Sequence, residues 1–150
     1  RSGEVIFPGM DRDEMLNIAV GLDTSGSISQ VMLRDFLSEV QGIMDQYSQY
    51  VVHIFQFDTG VYQAETFTSD DGRTMEDYEL KGGGGTDFEV IFKYLEQYQI
   101  EPDQLVVFTD GYPWGSWGNP DYCDTLFCIH SDKQKRIEAP FGVTVHYEAA

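Results

Sequence analysis

The chain has 150 residues, a size that suits one domain, and its 41% apolar and 14% aromatic content supplies a core, which excludes a disordered acidic tail. A chain of this length removes roughly 70% of its unfolded surface from water on folding. Its formal net charge of −17, from 26 acids and 9 bases, excludes nucleic acid and anionic membranes as partners and suits cations and basic proteins.

Residues 1–15 are polar, with a Phe7-Pro8-Gly9 turn, and read as a lead-in from an upstream segment. The chain begins with Arg1 rather than Met, as a processed or excised piece would. Residues 16–150 read as the domain itself. The apolar run 16–22 predicts a buried strand, which leads into Asp23-Thr24-Ser25-Gly26-Ser27. A helix is predicted over about 28–47, where Ile28, Val31, Met32, Phe36, Val40, Ile43, Met44 and Tyr47 recur at three- and four-residue steps. Val51 to Phe57 predicts a second strand. Asp58-Thr59-Gly60 turns it back into a third, Val61 to Phe67, which a hairpin makes antiparallel to the second.

A short helix is expected near Met75–Leu80, followed by Lys81 and the four glycines 82–85, then Thr86-Asp87. The next helix carries Phe88, Ile91, Phe92, Leu95 and Tyr98 on one face and exits at Pro102. Leu105 to Phe108 predicts a fourth strand ending in Thr109-Asp110-Gly111. Residues 112–124 are an aromatic, Gly/Pro-rich loop too short for a long helix. A fifth strand follows at Leu126 to Ile129, a polar connection at 131–140 and a sixth strand at Val143 to Tyr147. Such alternation implies an α/β three-layer sandwich of Rossmann-like type. Its doubly wound, mostly parallel six-stranded sheet has one antiparallel edge strand.

Cys123 and Cys128 form no Cys-X-X-Cys pair and are too few for a disulfide framework, which points to a reducing compartment, the cytoplasm. No apolar stretch approaches the ~20 residues of a membrane span, and no signal peptide is visible. His53, His130 and His146 are scattered and make neither a zinc spacing nor a persuasive Ser/His/Asp order. The glycine run lacks the Gly-Lys-Ser/Thr ending of a phosphate-binding loop, since Lys81 precedes it.

Three loops carry the candidate chemistry: 23–27, 82–87 and 109–111. In a doubly wound sheet they emerge on one edge, where such folds place their ligands. Asp23, Ser25 and Ser27 offer a carboxylate and two hydroxyls at alternate positions, oxygen donors that suit a hard cation such as Mg²⁺. Each element also has a plainer explanation. Ser27-Ile28-Ser29-Gln30 and Thr86-Asp87-Phe88-Glu89 both fit a capping box, and Asp23 and Asp110 could be turn formers. Asp58 could be a hairpin residue or a group behind the site, and Asp87 suits helix capping better than coordination.

Taken together, Asp-Thr-Ser-Gly-Ser, Gly-Gly-Thr-Asp and Phe-Thr-Asp-Gly, in that order, resemble the von Willebrand factor A (VWA) domain with its metal-ion-dependent adhesion site. The resemblance covers roughly residues 16–147. It is similar in particular to the bacterial and phage VWA-like domains that often sit carboxyl-terminal to a metallopeptidase-like half, which is absent here. The resemblance implies metal ligands Asp23, Ser25, Ser27, Thr86 and Asp110, the hydroxyls touching Mg²⁺ (Mn²⁺ or Ca²⁺ as alternatives) and the carboxylates acting through water. It further implies a sixth position left for an Asp or Glu of a protein partner, with an ATPase or peptidase-like protein as a candidate partner. Asp58, Gly85, Asp87, Tyr112, Trp114 and Trp117 are candidates for supporting the site or touching the partner. For the two tryptophans, covering a sheet face left bare by a missing helix is the alternative.

The expected function is a metal-dependent binding module rather than an enzyme. Mg²⁺-dependent phosphoryl hydrolysis of the haloacid-dehalogenase kind is the rival, but it needs a second Asp where this chain has Ser25. A non-catalytic domain of a metallopeptidase and a vestigial structural domain are further alternatives. Two carboxylates ~5 Å apart at an effective dielectric of ~20 repel by about 3 kcal/mol, so a fold that faces Asp23 with Asp110 favours a cation between them.

Overall fold

The computed structural model describes residues 15–24, 28–113, 115–130 and 137–147. Strands β1 (Leu16–Asp23), β2 (Tyr50–Phe57), β3 (Val61–Thr68), β4 (Gln104–Thr109), β5 (Asp124–Ile129) and β6 (Val143–His146) form one sheet in the order β3-β2-β1-β4-β5-β6. All neighbours are parallel except β2 and β3, whose antiparallel hairpin sets β3 on the edge. Helices α1 (Gln30–Met44) and α2 (Glu89–Gln97) and a 3₁₀ turn (Met75–Asp77) complete the described elements. The expected six-stranded, doubly wound α/β architecture is the one found. The short helix expected near Met75–Leu80 is only that single turn.

Alternation along each strand splits the apolar side chains between two cores. Ile18, Val20 and Leu22 of β1 meet Leu33, Phe36, Leu37, Val40, Ile43 and Met44 of α1 on one face. Ala19, Phe55, Val107 and Phe127 meet Ile91, Phe92 and Leu95 of α2 on the other. Central strands apolar on both faces are what a parallel sheet between two helical layers requires.

The buried face of α1 differs in part from the one the sequence suggested. Val31 is 74% exposed, and Leu33 and Leu37 are buried instead. Ser29 is the N-cap and accepts the Met32 amide at 3.1 Å. The helix therefore starts at Gln30, and its apolar stripe passes through Phe36 and Val40, leaving Val31 on the opposite side. Tyr98, expected on the buried face of α2, is 61% exposed at its C-cap.

No helix joins β4 to β5 among the described residues, and the aromatic loop takes its place. Trp117 packs edge-on against Phe88 at 5.3 Å and Phe127 at 5.2 Å between centroids. Tyr122 meets Phe92 edge-on at 6.3 Å and donates its hydroxyl to the Ile100 carbonyl at 2.6 Å. Rings cover more apolar surface per residue than a polar loop could, and edge-on pairs add to the burial.

This packing gives a direct test. Trp117→Ala is expected to lower the unfolding free energy by about 2 kcal/mol or more, the scale of aromatic truncation in a core. Tyr112→Ala, at a position 56% exposed, is expected to stay within about 0.5 kcal/mol. Urea unfolding of the two variants beside the parent chain makes the comparison.

Candidate functional site

Asp23 closes β1 and is 0% exposed. A buried carboxylate demands partners. One is Thr109, fully buried at the end of β4, whose hydroxyl donates to Asp23 Oδ2 at 2.6 Å and accepts the Gly111 amide at 3.0 Å. Parallel pairing produces this contact. Leu22 stands opposite Phe108, so the next residues, Asp23 and Thr109, come side by side at the point where strand order reverses. The following residue, Asp110, is half-buried, and its Oδ1 accepts the Tyr112 amide at 3.3 Å.

The glycine loop reaches the same edge from the β2 side. Its start is fixed by Gln56, a fully buried amide that accepts the Lys81 N–H at 2.9 Å and donates to Tyr78 Oη and the Glu79 carbonyl. Burial pushes the Tyr78 hydroxyl well above its ordinary pKa, so it stays a neutral donor, here to the Gln63 carbonyl at 2.6 Å. The far end of the loop is fixed by Asp58. Its carbonyl accepts the Asp87 amide at 2.9 Å, its Oδ1 accepts Gly60 N–H at 3.0 Å and its Oδ2 accepts Gly84 N–H at 3.4 Å. Asp58 is thus a hairpin residue and a loop anchor at once.

Between these ends, Gly83 lies close against the side chains of Thr24, Tyr62 and Asp58. A Cβ there would overlap Tyr62 Oη and stand 2.7 Å from Thr24 Oγ1 and 3.0 Å from Asp58 Oδ2. Gly85 takes φ +88°, a left-handed conformation that glycine adopts without strain. Thr86, next along, is 4% exposed. Helix α2 begins only at Glu89, with Phe88 as N-cap and no side-chain cap bond from it. Asp87 Oδ1 instead accepts the Glu89 amide at 3.0 Å. The capping box proposed for Thr86 therefore does not form, and Asp87 supports the first turn of the helix.

The edge thus gathers the ends of β1 and β4, the hairpin after β2 and the glycine loop. Of the residues expected at the site from the sequence, Asp23, Asp58, Gly85, Thr86, Asp87 and Asp110 all sit on these segments. Ser25, Ser27 and Trp114 lie outside the described residues. Trp117 faces the core through Phe88 and Phe127, and Tyr112 is exposed beside Asp110.

A VWA-like domain (DUF2201) family model matches residues 18–148. The chain belongs to this family. It is 34% identical over 106 residues to an uncharacterized protein of Thermotoga maritima, covering 71% of the chain and 25% of that relative. The chain thus matches a quarter of that relative's length. Its fold is also similar to the crystal structure of the ArnB paralog VWA2 from Sulfolobus acidocaldarius, with a TM-score of 0.56 at 17% identity. That match covers 78% of this chain and 35% of the other.

The donors of this VWA-like edge are carboxylate and hydroxyl oxygens. No group of three or more His, Cys, Asp or Glu side chains gathers for a metal among the described residues. Oxygen donors of this kind suit a hard cation. The histidines are employed elsewhere: His53 faces Thr66 at 3.2 Å and His146 faces the Ile137 carbonyl at 2.9 Å. Burial raises the pKa of both Cys123 and Cys128, which keeps them as thiols.

Thr109, Thr24, Tyr62 and Gln56 were not singled out from sequence. A hydroxyl just before Asp110 and a glutamine inside an apolar strand were the available signals. Thr109→Val removes this hydroxyl donor to Asp23, and a cost of about 1–3 kcal/mol at pH 7 is expected for a buried carboxylate that loses one of its hydrogen bonds. Thr109→Ser, which keeps the hydroxyl, should recover most of it in the same denaturation series.

Proposed function

We propose that this VWA-like domain is a Mg²⁺-dependent protein-binding module. Asp23, Thr86 and Asp110, with Ser25 and Ser27, would hold the ion. The observation that carries this reading is Asp23: a carboxylate with no exposure, at the strand-order switch point, on an edge where hydroxyl- and glycine-bearing loops meet. A structural role alone is better served by an apolar residue there, because burying a charge is costly. When bound, the divalent ion supplies residual positive charge, since neutral hydroxyls leave it incompletely neutralised. The chain's own part is to fix the oxygens. Thr109 orients Asp23, the Tyr112 amide orients Asp110, and Asp58 fixes the loop that carries Thr86. The open position is then filled by an Asp or Glu of the partner protein, with Tyr112 beside it as a contact.

We assign no catalysis to the domain. Any peptidase activity would belong to other parts of longer family members, and an ATPase or peptidase-like partner is consistent with the same surface. The cytoplasmic setting belongs to this proposal. Among the described residues no helix is long and apolar enough to cross a membrane.

Melting with and without Mg²⁺ tests the reading. At a hundredfold excess over the dissociation constant the ion should add about 2.7 kcal/mol of stability. Asp110→Asn should abolish that gain while leaving the metal-free domain at least as stable. Absence of any Mg²⁺ or Mn²⁺ effect on the parent chain would leave a vestigial structural domain. Phosphomonoester turnover lost in Asp23→Ala would instead favour the phosphoryl-transfer reading.

A further inference from the structure

The segment around Thr24 contains a contact that neither metal binding nor strand pairing requires. Thr24 Oγ1 lies 2.6 Å from Tyr62 Oη and 3.3 Å from the Phe57 carbonyl. Tyr62 Oη in turn lies 3.3 Å from the Lys81 carbonyl, where the glycine loop begins. Thr24 is buried at the end of β1, whereas Tyr62 is half-buried on the edge strand β3. Gly83 fits directly over the pair, so closely that a Cβ would overlap the Tyr62 hydroxyl. Around Gly82 and Gly84, by contrast, the space where a Cβ would point is open.

We propose that Thr24 and Tyr62 form a hydroxyl latch that positions the glycine loop and, through it, Thr86. Two hydroxyl protons serve these three contacts. With Thr24 donating to Tyr62, the phenol proton is left for the Lys81 carbonyl, so Thr24 holds the Tyr62 hydroxyl in place and Tyr62 ties the start of the loop to the hairpin. Burial, reinforced by the charges of Asp58 and Asp23 and opposed by the Thr24 bond, raises the Tyr62 pKa and keeps the phenol protonated. Both are positioning residues. The role given to Thr86 rests on the proposed metal site, but the latch itself does not.

Amide hydrogen exchange followed by NMR on the metal-free chain tests the latch. The reporters are the amides of Lys81, Gly84 and Asp87, each hydrogen-bonded to Gln56 or Asp58. Tyr62→Phe and Thr24→Val should each accelerate their exchange about threefold to tenfold, the scale of one net neutral hydrogen bond. The double variant should be no faster than either single one, because both break the same chain of contacts. Thr24→Ser should restore the parent rates, and amides within β4 should not change. Gly83→Ala should free the loop in the parent chain and do so less in the Tyr62→Phe background, where the overlapping hydroxyl is gone. In parallel, the Mn²⁺ dissociation constant should rise by a similar factor in each single variant. Unchanged loop exchange in both single variants, or strictly additive effects in the double, would overturn the latch. If the parent chain takes up no Mn²⁺, the metal reading falls, and the exchange rates still decide the latch.

Discussion

The parallel pairing of β1 with β4 is the constraint on which the rest depends. It sets Leu22 opposite Phe108 and so places Asp23 beside Thr109, with no water between the carboxylate and its hydroxyl donor. A charge in that position is tolerable only with dedicated partners. The surrounding segments supply such an environment: the Gly111 amide holds Thr109, and Thr24 leads the chain away through its bonds to Phe57 and Tyr62. The two helical layers, by covering both sheet faces, make this edge the place where the loops of the sheet converge.

Around this point a central strand end and an anchored loop meet. Asp23 sits at the end of a fully paired central strand. Thr86 sits in a loop fixed at its ends by Gln56 and Asp58, with glycines between. The net charge of −17 draws cations toward the edge at low ionic strength.

Much of the fold was legible because its signals are local. Continuous apolar runs marked β1, β2, β4 and β5, and Asp58-Thr59-Gly60 marked the hairpin that makes β3 antiparallel. The absent helix between β4 and β5 was legible in the Gly and Pro content of 112–124. What was not legible depends on where a helix starts or on who neighbours whom. Val31 matched the periodicity but fell outside the buried stripe of α1, which runs through Leu33, Phe36, Leu37 and Val40. Thr86 matched a capping box, yet α2 begins three residues later at Glu89. The Thr109–Asp23 bond spans 86 positions and the Thr24–Tyr62 contact 38, so no local pattern could contain them. Trp117 shows the same limit: its ring count was visible, but its edge-on seat between Phe88 and Phe127 required the sheet.

On the proposed reading the carboxyl edge holds a divalent cation through Asp23, Asp110 and neighbouring hydroxyls. Mn²⁺ titration followed by electron paramagnetic resonance measures this most directly, since free and bound ion give distinct signals. The parent chain is expected to bind a single Mn²⁺, Mg²⁺ to displace it, and a short acidic peptide at millimolar concentration to perturb the bound signal. A parent chain that leaves all Mn²⁺ free at millimolar concentration would contradict that reading.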